Sequence, residues 1–173
     1  MEKKLPKRKN VRLKPHNYDA PGSYFITICT DKRRNTLAEV VGAIHESPEI
    51  RLKPYGVVVK QILENLPEHL LVVLDRYVIM PNHIHLIFVI TRTNAIRAIR
   101  ESPLRARSVI SNAVSYIKMN STKEIHNSFN NTDVIWQRSY YDHIIRNKEN
   151  YDEVCKYVYE NPLKWFYDEL YSE

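Results

Sequence analysis

The chain has 173 residues, 43% of them apolar, and its 26 Lys and Arg against 20 Asp and Glu leave a net charge of +6. One domain with a sizeable core is the default at this length, and no apolar run approaches the roughly 20 residues that cross a bilayer. The positive excess favours a polyanionic partner, while two cysteines without a Cys-x-x-Cys pair argue against a disulfide framework or a structural zinc site.

In chain order, Lys3, Lys4, Lys7, Arg8, Lys9, Arg12 and Lys14 make residues 1–20 a basic arm, either solvated or lying along phosphates. No signal peptide is expected before the first strand, so the location read from the sequence is cytoplasmic. Residues 24–30, rich in β-branched and aromatic side chains, read as that strand. Segments 36–41 and 49–53 read as a hairpin. Residues 54–65 carry Val58, Ile62 and Leu66 at helical spacing, with Pro54 suited to the first turn. Strands over 70–79 and 83–90 are joined by a tight Pro81-Asn82 turn. A long helix runs over 108–125 with Ile110, Val114 and Ile117 inward. A last helix follows Asn147 as N-cap, with Tyr151, Val154, Cys155 and Val158 as its apolar stripe. Pro162 should end it, because a proline pushes the preceding residue out of the α region. Hairpin strands followed by late helices predict an α+β fold, an antiparallel sheet with helices mainly on one face.

Two segments carry chemistry. In Met80-Pro81-Asn82-His83-Ile84-His85 the two histidines alternate with an apolar residue at a strand entrance, so both project from one face, about 7 Å apart along the strand. Neutral imidazoles so placed can converge on one divalent cation, or can be two ordinary polar residues. Some seventy residues on, Tyr157 and Asn161 lie four apart on one helical face, beside the apolar stripe. A phenol and an amide there supply a nucleophile and a third ligand if that face looks at the histidines; otherwise Tyr157 is one more packing ring among 12 tyrosines.

Four blocks in order carry a family resemblance: Pro21-Gly22-Ser23-Tyr24-Phe25-Ile26-Thr27 with the basic pair Arg33-Arg34; Met80 to His85; Trp136-Gln137-Arg138-Ser139-Tyr140-Tyr141-Asp142-His143-Ile144-Ile145-Arg146-Asn147; and Tyr157 through Asn161-Pro162-Leu163-Lys164-Trp165. Together they resemble the REP-associated branch of the single-tyrosine HUH transposases. The resemblance implies a ferredoxin-like antiparallel sheet of HUH endonuclease architecture, with loop insertions near 42–48 and 94–106 in a single domain over 21–173. It implies Tyr157 as nucleophile, His83, His85 and Asn161 as metal ligands, and a 5′-phosphotyrosine that conserves bond energy for rejoining. The expected substrate is single-stranded DNA with hairpin-forming palindromes, and the protein acts as a monomer or a homodimer.

Mixed nitrogen and oxygen ligands suit Mg²⁺ or Mn²⁺. Arg33, Arg34, Arg138, Arg146 and Lys164 are candidates to grip phosphates, each weighed against a plain exposed charge. Tyr140, Tyr141 and Trp136 are candidates to stack bases, with Trp136 and one tyrosine better assigned to the core. His143 could touch the scissile phosphate, move a proton, or cap the turn before the last helix. Two other readings are a non-catalytic, domesticated DNA-binding relative and a rolling-circle nickase; the intact set of His83, His85, Tyr157 and Asn161 opposes the first, and the short chain opposes the second.

Ala43-Ile44-His45-Glu46-Ser47-Pro48 and Ala98-Ile99-Arg100-Glu101-Ser102-Pro103 share five of six residues. One frame of the self-complementary string GGCGATTCGCGAATCGCC encodes Ala-Ile-Arg-Glu-Ser-Pro, so the pair reads as translated remnants of an inserted palindrome, placed where loops tolerate added length.

Overall fold

The computed structural model describes residues 18–42, 49–101 and 108–171, without the side chains of 99–101. Its main sheet is built from β1 (Gly22–Cys29), β4 (Val73–Ile79), β5 (His83–Ile90) and β6 (Tyr141–Ile145), in the order β4-β5-β1-β6 with every pair antiparallel. The helices α1 (Pro54–Glu64) and α3 (Val109–Phe129) fill the two crossovers, which gives the ferredoxin-like β-α-β-β-α-β arrangement. The hairpin of β2 (Ala38–Val41) and β3 (Glu49–Leu52) forms its own two-stranded sheet between β1 and α1, as the sequence predicts.

Alternation along β1 and β5 decides which layer each residue enters. Tyr24, Ile26 and Ile28 of β1, with Ile84, Leu86, Phe88 and Ile90 of β5, face α1 and α3 and form the large core with Val59, Leu63, Ile110, Val114 and Ile117. The opposite face carries Phe25, Thr27, His83, His85 and Ile87. There α4 (Lys148–Glu160) lays Tyr151, Val154, Cys155 and Val158 over Ile87 and Ile145. So α1 and α3 share one face, and α4 lies on the other, over the histidines.

Several local expectations hold for their stated reasons. Asn147 caps α4 by accepting a hydrogen bond from the Asn150 amide, and Pro54 occupies the first turn of α1. The Pro81-Asn82 turn closes through the Met80 amide on the His83 carbonyl at 2.9 Å. Gly56 lets α1 sit against the hairpin, because a Cβ there would stand 2.0 Å from the Leu37 carbonyl oxygen.

Three expectations are corrected. α4 ends at Glu160, ahead of Pro162, but not for the expected reason: Asn161 keeps αR angles (φ −55°, ψ −41°) and residues Asn161–Tyr167 continue as a 3-10 helix with the proline in its first turn, where no N–H is needed. The segment read as a loop insertion near 94–106 begins as a helix, α2 (Arg92–Glu101), with Ala95 and Ala98 in the core; residues 102–107, like the 43–48 copy of the repeat, lie outside the described residues. The basic arm also stops short of residue 20. Asp19 accepts a hydrogen bond from the Val109 amide at 2.6 Å and the Tyr18 ring lies 6.1 Å from that of Tyr24, while residues 1–17 lie outside the described residues. Among the described residues no helix is long and apolar enough to cross a membrane.

Candidate metal and nucleophile site

His83 and His85 enter β5 directly from the Pro81-Asn82 turn and are 0% and 2% exposed. Burial of two imidazoles needs partners for their nitrogens, and the strand's neighbours supply them. The Asn82 amide is oriented by its Nδ2, which donates to the Leu170 carbonyl at 2.7 Å, so its Oδ1 accepts from His83 Nδ1 at 2.8 Å. His83 Nε2 therefore presents a lone pair. His85 Nδ1 lies 2.8 Å from the hydroxyl of Thr27, its register partner on β1, and the two Nε2 atoms face each other at 3.0 Å.

That facing pair has two tautomeric solutions. Without a cation, Thr27 donates to His85 Nδ1 and His85 Nε2–H donates to His83. If His85 instead donates from Nδ1 to Thr27, both Nε2 lone pairs point at one spot, a repulsive arrangement unless a cation occupies it. Burial holds His83 down to about 3, helped by the nearby Arg33 charge, and holds His85 well below the usual imidazole value, helped by His83 and opposed by Asp168. Both rings are thus neutral, the form that ligates metals.

α4 brings Tyr157 over this pair. Its hydroxyl is 3.4 Å from His85 Nε2 and donates to Asp168 Oδ2 at 3.3 Å; its ring stands 5.2 Å from His85 and edge-on to Phe25 at 5.9 Å. Desolvation first, then the Asp168 charge, push the phenol up to about 12. Asn161, 1% exposed, donates from Nδ2 to Asp168 Oδ2 at 2.8 Å, which leaves its buried Oδ1 with no hydrogen-bond partner among the described residues. His83, His85 and Asp168 each offer a ligand atom, all within 4.8 Å of one another, a donor set and spacing that a metal ion fits.

Sequence reasoning missed Asp168, which enters the site from the turn after the 3-10 helix. It also gave no role to Thr27 or to Asn82, although both stand inside quoted motifs. Both act on the histidines through Nδ1.

The site opens into a cavity of about 530 Å³ whose walls include Arg33, Tyr141, Lys164 and Tyr167. Arg33, held at φ 55°, donates to the Glu169 carbonyl, and Lys164 pairs with Glu160 at 2.7 Å. The other candidates lie elsewhere. Arg34 is committed to Asp31, Asp133 and the Val134 carbonyl. Arg138 lines a separate groove along α3. His143 donates to Asn150 Oδ1 at 3.0 Å and so ties β6 to the first turn of α4, and Arg146 is exposed just before the cap. Trp136 is buried with its indole N–H on Ser121, Tyr140 shares a hydrogen bond with Ser111, and only Tyr141 of the three aromatic candidates faces the cavity.

No protein-family model matches the chain. It is 31% identical over 174 residues to an uncharacterised protein of Haemophilus influenzae, an alignment spanning 96% of this chain and 94% of that one. Among solved structures it is similar to a REP-associated tyrosine transposase bound to a REP hairpin, with a TM-score of 0.52 and 20% identity over 83% of this chain and 68% of that chain.

Proposed function

The chain belongs to one family with the uncharacterised Haemophilus influenzae protein and has the fold of a REP-associated tyrosine transposase, and we propose that it cleaves and rejoins single-stranded DNA at palindromic repeats through a 5′-phosphotyrosine on Tyr157. The observation that carries this reading is the meeting of a phenol, two neutral imidazoles and an unsatisfied amide oxygen at one cavity. His83 and His85 through Nε2, and Asn161 through Oδ1, would hold a divalent cation, Mg²⁺ or Mn²⁺, with the Asp168 carboxylate beside them as the anionic donor. When bound, the cation supplies positive charge against the non-bridging oxygens of the scissile phosphate.

The chain's own residues account for the rest. At neutral pH the Tyr157 phenol is protonated, so attack must be accompanied by loss of its proton, and Asp168 Oδ2 is the acceptor already in contact. The phenolic oxygen forms a bond to phosphorus, the bond from phosphorus to O3′ breaks, and the departing oxygen takes a proton to become a free 3′-hydroxyl. Attack by a 3′-hydroxyl on the same phosphorus reverses the sequence, re-forms a phosphodiester and returns the phenol. Arg33 and Lys164 on the cavity wall offer charge to flanking phosphates, and Tyr141 and Tyr167 offer rings to unpaired bases.

The test uses oligonucleotides from palindromes flanking the gene, with Mn²⁺ or Mg²⁺. One strand carrying a folded palindrome and a single-stranded flank should be cut and should leave a covalent adduct. Equal cutting of both strands of a fully paired duplex would defeat the reading.

A further inference from the structure

A second concavity, of about 710 Å³, runs between α3 and the segment 136–138, on the side of the sheet away from the histidines. Its walls bring together Lys118, Lys123, His126 and Arg138, and no carboxylate among the described residues lines it. Lys118 is occupied structurally: its ammonium donates to the Gln137 and Ser139 carbonyls at 2.8 Å each and pins the groove's far wall. His126 likewise donates from Nε2 to the Asp133 carbonyl. Lys123 and Arg138 are different. Both are exposed, and neither side chain makes a hydrogen bond or ion pair among the described residues.

The chemistry of this groove contrasts with that of the catalytic cavity. The cavity has exposed rings, Tyr141 at 46% and Tyr167 at 89%. The groove has none, because Trp136 is sealed into its floor by the bond to Ser121. It offers instead cations together with the hydroxyl of Thr122 and the amide of Gln137. Rings serve unpaired bases, whereas Lys, Arg, hydroxyl and amide groups without rings serve phosphates. A short stretch of chain links the walls of the two concavities. Arg138 lines the groove and Tyr141, three residues later, lines the cavity, a separation of about 10 Å along an extended chain. β6 is an edge strand, so nothing in the sheet stands outside it to block a ligand passing round that edge.

We infer that this groove binds the phosphodiester backbone of a paired DNA stem, through Lys123 and Arg138, while the single-stranded flank of the same hairpin rounds β6 into the cavity at Tyr157. The inference rests on the function proposed above and names where its substrate's duplex part sits. Because phosphates carry no base identity, the stem contact is insensitive to stem sequence and sensitive to salt.

The test compares the full-length protein with K123Q, R138Q and the double variant, in EDTA so that no cleavage intervenes. The probes are a fluorescent DNA hairpin with a single-stranded flank and the same flank without the stem. At about 0.15 M salt, where screening acts over about 8 Å, the double variant should bind the flanked hairpin at least tenfold more weakly. Its slope of log affinity against log salt should shrink by about 2, from 0.9 per lost phosphate contact. The flank alone should change less than twofold, and the melting temperature should not move. Unchanged hairpin affinity, an equal loss on the flank alone, or a parent that binds no hairpin overturns the groove. A parent that loses stem binding on substitution yet never forms an adduct with Mn²⁺ overturns the proposed reaction and leaves the groove standing.

Discussion

Tyr157→Phe removes one oxygen from the site, and the surroundings fix what else it should change. The ring keeps its edge contact with Phe25 and its packing beside His85. The two hydrogen bonds lost are 3.3 and 3.4 Å long, well beyond the optimum of about 2.8 Å for a hydroxyl, so each is worth less than the usual ~1 kcal/mol. Asp168 is not orphaned, since Asn161 Nδ2 and the Leu170 amide still donate to its two oxygens. Stability should therefore shift by no more than about 0.5 kcal/mol, roughly 2 °C in melting temperature for a domain of this size.

Cleavage should vanish, because no covalent bond to phosphorus can form, while DNA binding stays within about twofold. A denaturing gel of labelled oligonucleotide, read with intact-protein mass, reports the adduct directly. The other tyrosines of α4 are the controls. Tyr159 is 81% exposed and makes no contact with the histidines, and Tyr151 donates to Asp75 against β4. An adduct that persists in Tyr157→Phe, or one that disappears in Tyr159→Phe, would show that the nucleophile is misassigned.

His83→Ala and His85→Ala should each abolish cleavage, as EDTA should in the parent, with Mn²⁺ or Mg²⁺ restoring the parent only; activity in excess EDTA refutes the metal. Asn161→Ala should keep cleavage and only raise the metal concentration needed for half-maximal rate, because both histidines and the Asp168 carboxylate remain at the site. In EDTA, stability should fall as pH drops below 6.5, because the unfolded chain takes up protons that buried His83 refuses until about 3. The expected slope from His83 is about 1.4 kcal/mol per pH unit, fully relieved above 6.5, and His83→Gln should remove that share in acid-melting curves while His85 keeps its own. Gly56→Ala should destabilise by about 2 kcal/mol or more, since its methyl would meet the Leu37 carbonyl oxygen at 2.0 Å; an unchanged melting temperature would mean α1 does not seat there.

How far the sequence can be read depends on whether a residue's position follows from a repeat period. β5 is legible because alternation places both histidines on one face whatever lies above them, and the long apolar run after them can only be a central strand. The stripe of α4 is legible for the same reason, and with it the direction in which Tyr157 must look. What the pattern does not contain is the meeting of strand and helix, for β5 and α4 are separated by α2, α3 and β6. Only the resemblance joined them in advance. α2 escaped because its polar residues outnumber its apolar ones, and among its described side chains only the small Ala95 and Ala98 reach the core.

Asp168 shows where periodic reasoning ends. It stands eleven residues after Tyr157, a spacing that on a continuous α-helix would put it three turns away, beyond the end of the site. The chain instead tightens into a 3-10 helix at Asn161, with Pro162 in its first turn, and leaves that helix at Asp168 in an extended conformation. The change of period swings the carboxylate back onto Tyr157 and Asn161, while the Leu170 carbonyl drops onto Asn82 and so fixes His83. The proline that sequence rules treat as a terminator thus sits where the α-helix gives way to the tighter winding. The histidines, the phenol and the carboxylate meet because α4 changes its winding just after presenting Tyr157.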